Sequence, residues 1–444
     1  MLARSSIARG LPQCCAKAAP SARRGMAAAA NPFHYSVGNA GGVKVASRDD
    51  GGPTTSLAVV VRGGSRYESS PGLAHGLASF AFKNTTKRSA LRLQRESELL
   101  GGSFGSTLSR ENIVLRAKFL RDDLPYFVEA LGEVMSKTKY IHYEFQEEVG
   151  PIMITELSKY SHNPADVALE HAHNVAFHSG LGGHRLAMSN KFSSSLIPSY
   201  AQQVYQKGNI AVVASGAAQA ELEKWTGQFF TDLTEGSGLP SNVTKYYGGE
   251  NRIYNDHGDA IVIAFPGSQG GPNFKAEFSV LAYLLGGESS TKWNHGTSAL
   301  SQAVSQMAGV KAIAKHVAYS DAGLLSITVT GPQTALHQAG AEVVKAIKSL
   351  ASVKPEDVKK AIAQAKFDVL AAAEDRSVGL ELIGQSVIAS GKAPQVEGVI
   401  KALEGVTVDT VKSAAKKLLD GKATYTAVGD LHYLPFAADI GLQV

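Results

Sequence analysis

Gly72-Leu73-Ala74-His75-Gly76-Leu77-Ala78-Ser79-Phe80-Ala81-Phe82-Lys83-Asn84-Thr85 follows an apolar run at 57–61 and a turn segment at 62–71. That order predicts a helix opening after a strand and a loop. His75 is the only metal-ligating side chain in the stretch; no Cys, Asp, Glu or second His accompanies it. An isolated imidazole on a partly apolar helix reads as a satisfied core histidine, since a ligand set needs partners at fixed spacing.

The stretch resembles the inverted zinc helix of the pitrilysin-like metallopeptidases, in which H-x-x-E-H is set between a Gly-x-Ala and a Phe-Lys-Gly-Thr-like ending. Such a helix carries two imidazoles four residues apart, so that both face one side, with a carboxylate between them as general base. On that frame His75 takes the first ligand position, Ala78 the base position and Ser79 the second ligand position. The third ligand, a Glu on a later helix, corresponds to Glu156, and the carboxylate that often assists it corresponds to Val149. The framing survives and the chemistry does not. One His and one Glu cannot supply the three protein ligands of a catalytic zinc, and without the base no bound water is activated. The resemblance therefore implies no catalytic residue, no metal and no cofactor. His75, Ala78, Ser79 and Glu156 remain as degenerate positions, with Glu156 expected to be a solvated or paired carboxylate.

Working outward, 444 residues of which 44% are hydrophobic suffice for two or more domains with their own cores. Both cysteines, Cys14 and Cys15, lie near the start, which excludes disulfides and cysteine metal sites from everything after them. Residues 1–48 contain no Asp or Glu, while Arg4, Arg9, Lys17, Arg23 and Arg24 are scattered among Ala and Ser. That is the composition of a mitochondrial transit peptide, assigned to 1–32. Removing it takes five positive charges from a formal net charge of +5, so the basic balance is no argument for nucleic-acid binding. No window reaches the roughly 18 apolar residues of a membrane-spanning helix.

In order, strands are predicted over 33–47 and 54–62, a helix over 89–100, a hairpin over 103–109 and 112–119, and an amphipathic helix over 122–137. A long helical stretch over 144–177 carries Glu156 and breaks near Ser161-His162-Asn163-Pro164. A strand over 209–215 and a helix over 217–230 follow. Thr234-Glu235-Gly236-Ser237-Gly238-Leu239-Pro240-Ser241 then opposes any regular element and marks a linker. The pattern repeats beyond it at an offset of roughly 210 residues. Asn112-Ile113-Val114-Leu115 is echoed by Gly323-Leu324-Leu325-Ser326, the helix over 122–137 by one over 333–350, and 210–216 by 424–429. The expected organisation is an α+β fold of two homologous pitrilysin-like α/β domains joined by a linker. Their bounds are 33–232 and 250–444, with the linker at 233–249. The resemblance makes each domain a mainly antiparallel sheet packed with helices.

His171, His173 and His178 look like a cluster, but spacings of two and five do not align on one helix face. Gly286-Gly287-Glu288 through Gly296 lacks the context of a phosphate loop. Residues 284–304, 318–324 and the ending Gly429-Asp430-Leu431-His432-Tyr433-Leu434-Pro435-Phe436 resemble the branch of the family that supplies core subunits to mitochondrial ubiquinol-cytochrome c reductase. Membership there implies a non-catalytic structural subunit, peripheral on the matrix side of the inner membrane. Its implied partners are core protein 1, cytochrome b, cytochrome c1 and the Rieske subunit. The chain itself has no CxxCH haem site and no cysteine cluster. Three alternatives stay open: the non-catalytic, presequence-binding subunit of the mitochondrial processing peptidase, a hydrolase completed by a partner's zinc site, and a binding module whose cavity between the two halves retains peptides. N-terminal sequencing of the mature protein is expected to start between Arg24 and Tyr35; a start at Met1 or Leu2 refutes the transit reading.

Overall fold

The computed structural model describes residues 33–188, 194–240, 242–287 and 296–444. The transit peptide assigned to 1–32, residue 241 of the linker and residues 288–295 of the glycine-containing loop lie outside the described residues. Strands β1 (Ser36–Ala40), β2 (Val43–Arg48), β3 (Thr54–Val61), β4 (Ser103–Leu108), β5 (Ile113–Leu120) and β6 (Ile210–Ser215) form one sheet in the order β1-β2-β6-β3-β5-β4. Only the β2–β6 pair is parallel. The single strand predicted over 33–47 is in fact a hairpin. Gly41 and Gly42, at φ of 60° and 91°, turn β1 back on β2, a conformation that only glycine adopts freely.

The second sheet contains β7 (Gly249–Tyr254), β8 (Ala260–Pro266), β9 (Lys311–Ala318), β10 (Gly323–Thr330) and β11 (Thr424–Gly429), ordered β7-β11-β8-β10-β9. Again one pair, β7–β11, is parallel. Without β1, the first sheet has the same order and the same strand directions as the second, which is the duplication the sequence offsets anticipate.

Helices interleave in the same way. In the first half α1 (Leu73–Ser79) and α2 (Ala90–Leu99) lie between β3 and β4, and α3 (Leu124–Lys137) follows β5. Next, α4 (His142–Glu144) runs through a π-helical turn at Phe145–Val149 into α5 (Gly150–Ser161). Pro164 then opens α6 (Pro164–Phe177), before α7 (Ile197–Val204), β6 and α8 (Gln219–Phe229). In the second half α9 (Ala276–Leu285) and α10 (Ala299–Val304) lie between β8 and β9, and α11 (Gln333–Ser349) follows β10. The long α12 (Pro355–Glu374), α13 (Leu380–Ser390), α14 (Val396–Glu404) and α15 (Val408–Asp420) lead to β11.

Alternation along β3 sets the layers. Leu57, Val59 and Val61 point to one face and pack with Leu73 and Leu77 of α1 and Phe127 and Leu131 of α3. Ala58 and Val60 point to the other face, where the cover comes from the opposite half of the chain: Leu380, Ile383, Val387 and Ile388 on α13 pack there with Ala46, Val114, Ala211 and Val213. Gly384 lets α13 lie close, since a Cβ there would stand 2.4 Å from a Val60 methyl. Reciprocally, Val167, Ala168, Ala172 and Ala176 of α6 cover Ala260, Val262, Ala264, Leu324 and Val428 of the second sheet. The two halves have exchanged corresponding helices. Polar ties reinforce the exchange: Lys44 Nζ donates to the Ile388 carbonyl at 2.7 Å, and the Gln395 amide both donates to and accepts from the Tyr35 backbone at 3.1 Å.

Sequence reading predicts a helix over 72–85, yet α1 stops at Ser79, and Phe82 sits at φ 64° in the left-handed region. At its other end, Glu68 Oε2 accepts the backbone N–H groups of Gly72 and Ala74 at 3.1 and 3.0 Å. These N–H groups have no intrahelical acceptor, and a carboxylate fits them well. Burial nonetheless pushes the Glu68 carboxyl from its ordinary 4.5 up to about 7, against the downward pull of those bonds.

A folded-state pKa above the unfolded one means that the native protein holds this proton more tightly, so stability falls as pH rises from about 5 through 7. Glu68→Gln keeps an acceptor at the cap and removes the titration. The urea midpoint of the wild type, relative to that of the variant, is expected to decline between pH 5 and 8, and parallel profiles refute the assignment. Helix exchange makes a second forecast. A chain cut at the exposed Ser237 should elute as one species and melt in one transition, whereas Val387→Asp should cost about 3 kcal/mol or more. Separation of the cut halves would disprove the exchange as their main tie.

Candidate functional site

The degenerate positions do meet. α1 rises behind β3 and packs beside α5, which brings His75 Nε2 to 2.7 Å from Glu156 Oε2. His75 is 2% exposed, and its Nδ1 accepts the backbone N–H of Ala187 at 3.2 Å. An imidazole nitrogen that accepts carries no proton, so in the neutral ring Nε2 holds the hydrogen and donates it to Glu156. That donation holds the Glu156 carboxyl below the usual range; its partial burial opposes the effect. Both ring nitrogens are thus committed to protein groups, and neither has a lone pair left for a metal. Ser79 is turned away as well, with Oγ donating to the His75 carbonyl at 2.9 Å, the i−4 bond usual for a helical serine. Ala78 presents a methyl group to the core, and Val149 is fully buried. Among the described residues, no group of three or more His, Cys, Asp or Glu side chains stands where it could hold a metal ion.

A matching tie exists in the second half. α9 follows β8 as α1 follows β3, and α12 occupies the place of α5. Tyr283 OH of α9 donates to Asp368 Oδ2 of α12 at 2.8 Å. Each half therefore fastens the helix behind its central strand to its long helix through one carboxylate.

A dense polar network lies at the seam between the halves, where sequence reasoning gave no residue a chemical role. Arg66 Nη1 donates to Glu111 Oε1 at 2.7 Å, and its guanidinium grips Asp321 with two further bonds of 2.7 Å. Arg66 Nη2 also reaches the Asn242 carbonyl in the linker at 3.1 Å, and Thr244 N–H donates to Asp321 at 2.9 Å. Glu111 in turn accepts the Ser320 N–H at 3.0 Å, the Ser320 hydroxyl at 2.5 Å and the Gln385 amide. The stretch Ala318-Tyr319-Ser320-Asp321-Ala322-Gly323-Leu324, which carried a family likeness without derivable chemistry, closes this seam. Its signal in the sequence was an Asp and a Ser at a hairpin turn, indistinguishable from ordinary turn residues.

The three histidines go separate ways, as their spacing predicts. His171 lies edge-on to His184, with ring centroids 5.1 Å apart, and His178 stacks on Tyr247 at 4.0 Å. His173 donates from Nδ1 to the Leu169 carbonyl at 2.7 Å and accepts from Tyr319 OH at 2.8 Å, across the seam. Burial keeps its pKa well below the ordinary value, so it is a neutral structural residue.

Comparison with known proteins agrees with this architecture. Residues 44–188 match the insulinase (peptidase family M16) model, and residues 192–365 match the model of the peptidase M16 inactive domain. The chain is 49% identical to cytochrome b-c1 complex subunit 2 of Neurospora crassa over 100% of both chains. It is 39% identical to the Yarrowia lipolytica protein of the same name, over 92% of this chain and 97% of that one. Identity to the potato mitochondrial-processing peptidase subunit alpha is 28%, over 89% of this chain and 82% of that one. A peptidase fold in duplicate, with a methyl group at the position matched to the base and a turned-away hydroxyl at the position matched to the second ligand, accords with these likenesses: the chain belongs to peptidase family M16, in the branch that carries subunit 2 of the mitochondrial cytochrome b-c1 complex.

Proposed function

We propose that the chain is a non-catalytic structural core subunit of mitochondrial ubiquinol-cytochrome c reductase, supporting assembly and stability of that electron-transfer complex. One observation carries the reading: 49% identity across the whole of both chains to a protein named as subunit 2 of that complex. The geometry of the vestigial site supports it, because His75 has no free nitrogen and no acid stands at position 78. The partners in this reading are core protein 1, cytochrome b, cytochrome c1 and the Rieske subunit. None of the described helices is long and apolar enough to cross a membrane. In this reading attachment is peripheral, through these partners and from the matrix side. In the same reading 1–32 is the address that is removed, and 33–232 and 250–444 are the two domains flanking the linker at 233–249.

The second reading, a presequence-binding subunit of the processing peptidase, rests on the potato relative at 28% identity and is correspondingly weaker. Native electrophoresis of detergent-extracted mitochondria separates the two. Comigration of this chain with haem-bearing subunits is expected. Its recovery as a soluble heterodimer that cleaves presequences would overturn the proposal, as would stoichiometric zinc and peptidase activity in the purified single chain.

A further inference from the structure

The two sheets match in order and strand direction apart from one strand: β1 lies outside β2 in the first, and among the described residues no strand takes its place outside β7 in the second. The consequence is visible in burial. β2 is buried at every residue except the half-buried Lys44, whereas β7 has no buried residue. Gly249 N–H donates to the Ala423 carbonyl and Asn255 N–H to the Gly429 carbonyl, which fixes the β7–β11 ladder: Gly249, Asn251, Ile253 and Asn255 bond inward. Glu250, Arg252 and Tyr254 therefore turn their N–H and C=O groups outward, where no backbone partner meets them among the described residues. The opposite edges, β4 and β9, correspond to each other, so the asymmetry is confined to this side.

The segment before β7 does not fold back to supply a strand as β1 does. β1 reaches β2 through the Gly41-Gly42 turn, but the residues preceding β7 are drawn off to the seam: Tyr247 N–H donates to the Ala176 carbonyl and Thr244 N–H to Asp321, both at 2.9 Å. Cover differs as well. Over β1 lies α8, with Glu223 directly above Gly38, while residues 430–444 after β11 form no helix and leave Tyr433 and Phe436 about half exposed. The charges of β7 are tied back to this tail and do not guard the edge: Arg252 lies over the Phe436 ring at 3.8 Å and donates to the Leu431 and Leu434 carbonyls, and Glu250 accepts the Ala437 N–H at 3.3 Å. Tyr254, on the same face of β7 as Arg252, is 69% exposed. The strand thus presents an open hydrogen-bonding edge with an aromatic flank.

We infer that an extended segment of another polypeptide pairs with β7 and completes the second sheet as β1 completes the first. The first sheet gives its character: five residues, as in β1, antiparallel to β7, free of proline, with apolar side chains at alternate positions to meet Tyr254 and Phe436. Main-chain bonds to Glu250, Arg252 and Tyr254 hold the segment, and the aromatic flank selects it. The inference goes beyond the proposed function and holds whichever assembly the chain joins, since it names a contact of this chain and not the complex.

The test compares amide hydrogen exchange over residues 249–255 in the purified mature chain and in the native assembly extracted from mitochondria with detergent. Exchange at Glu250, Arg252 and Tyr254 is expected to be about tenfold slower or more in the assembly, with no such change along β2, whose edge β1 already covers. Glu250→Pro removes an outward N–H and leaves the β7–β11 ladder intact, whereas Glu250→Ala keeps that N–H. Only the proline variant is expected to lose the protection at Arg252 and Tyr254. Melting of each purified variant reports whether it is folded, and Tyr254→Pro supplies a second proline variant at the other end of the strand. Equal exchange in the isolated chain and the assembly overturns the proposal, as does protection that survives in a folded proline variant or that is lost equally in Glu250→Ala. Protection already present in the isolated chain, together with its elution as a dimer, assigns the edge to a second copy and overturns the proposal too.

Discussion

The reciprocal loan of α6 and α13 is the constraint from which the rest of the molecule follows. A mixed sheet such as β1-β2-β6-β3-β5-β4 has two apolar faces, and the chain around it supplies local helices for only one of them. Ala58, Val60, Ala211 and Val213 would stand in water without α13, as Val262, Ala264 and Val428 would without α6. Burial of such side chains is the dominant favourable term in folding, so each half draws part of its stability from the other. The linker is accordingly not a tether between independent bodies. Its residues Asn242 and Thr244 are bonded into the seam, and Gly236 and Gly238 are held by the segment before β6.

An exchange of this kind fixes which surfaces touch, and polar groups then define the register. Arg66 and Glu111 have side chains 2% and 4% exposed, a placement that is costly for charges unless every donor and acceptor is met. Here the guanidinium is shared among two carboxylates and a carbonyl, while Glu111 takes donors from Ser320 and Gln385 of the other half. Apolar packing alone would tolerate a helix sliding by a residue or two. A buried carboxylate that needs these particular donors does not, so the network selects one docked arrangement out of several of similar area.

Much of the fold was legible because it rests on local signals. Alternation in β3, the Gly101-Gly102 stop after α2, and the break at Pro164 are written in neighbouring residues, and the offset of the second half reproduces them. The β1–β2 hairpin was misread as one strand because Gly41-Gly42 interrupts a β-rich run that is otherwise continuous. The exchange was invisible for a different reason. Amphipathic spacing says that α6 and α13 bury one face and is silent on which sheet receives it. Glu111, Arg66 and Asp321 were likewise unreadable, since a charged residue near a turn looks solvated until the opposite half is brought against it. At the vestigial site the positions were legible and their fate was not: nothing in the spacing of His75 and Glu156 says that they bond to each other.

That bond explains how a zinc scaffold can lose its metal and keep its shape. In a metallopeptidase of this plan the ion itself would hold the helix behind the central strand to the long helix, because both contribute ligands. Once Ala78 and Ser79 replace the base and the second imidazole, that cross-link is gone, and a buried imidazole with a carboxylate beside it would be a liability if left unpaired. Direct contact at 2.7 Å between His75 and Glu156 substitutes for the ion, with Ala187 N–H orienting the ring from behind. The second half shows that this solution is not peculiar to a former active site. Tyr283 and Asp368 make the same span between α9 and α12 with a phenol in place of the imidazole. Both halves place a hydrogen-bonded strut between those two helices, and in each one end is a carboxylate on the long helix.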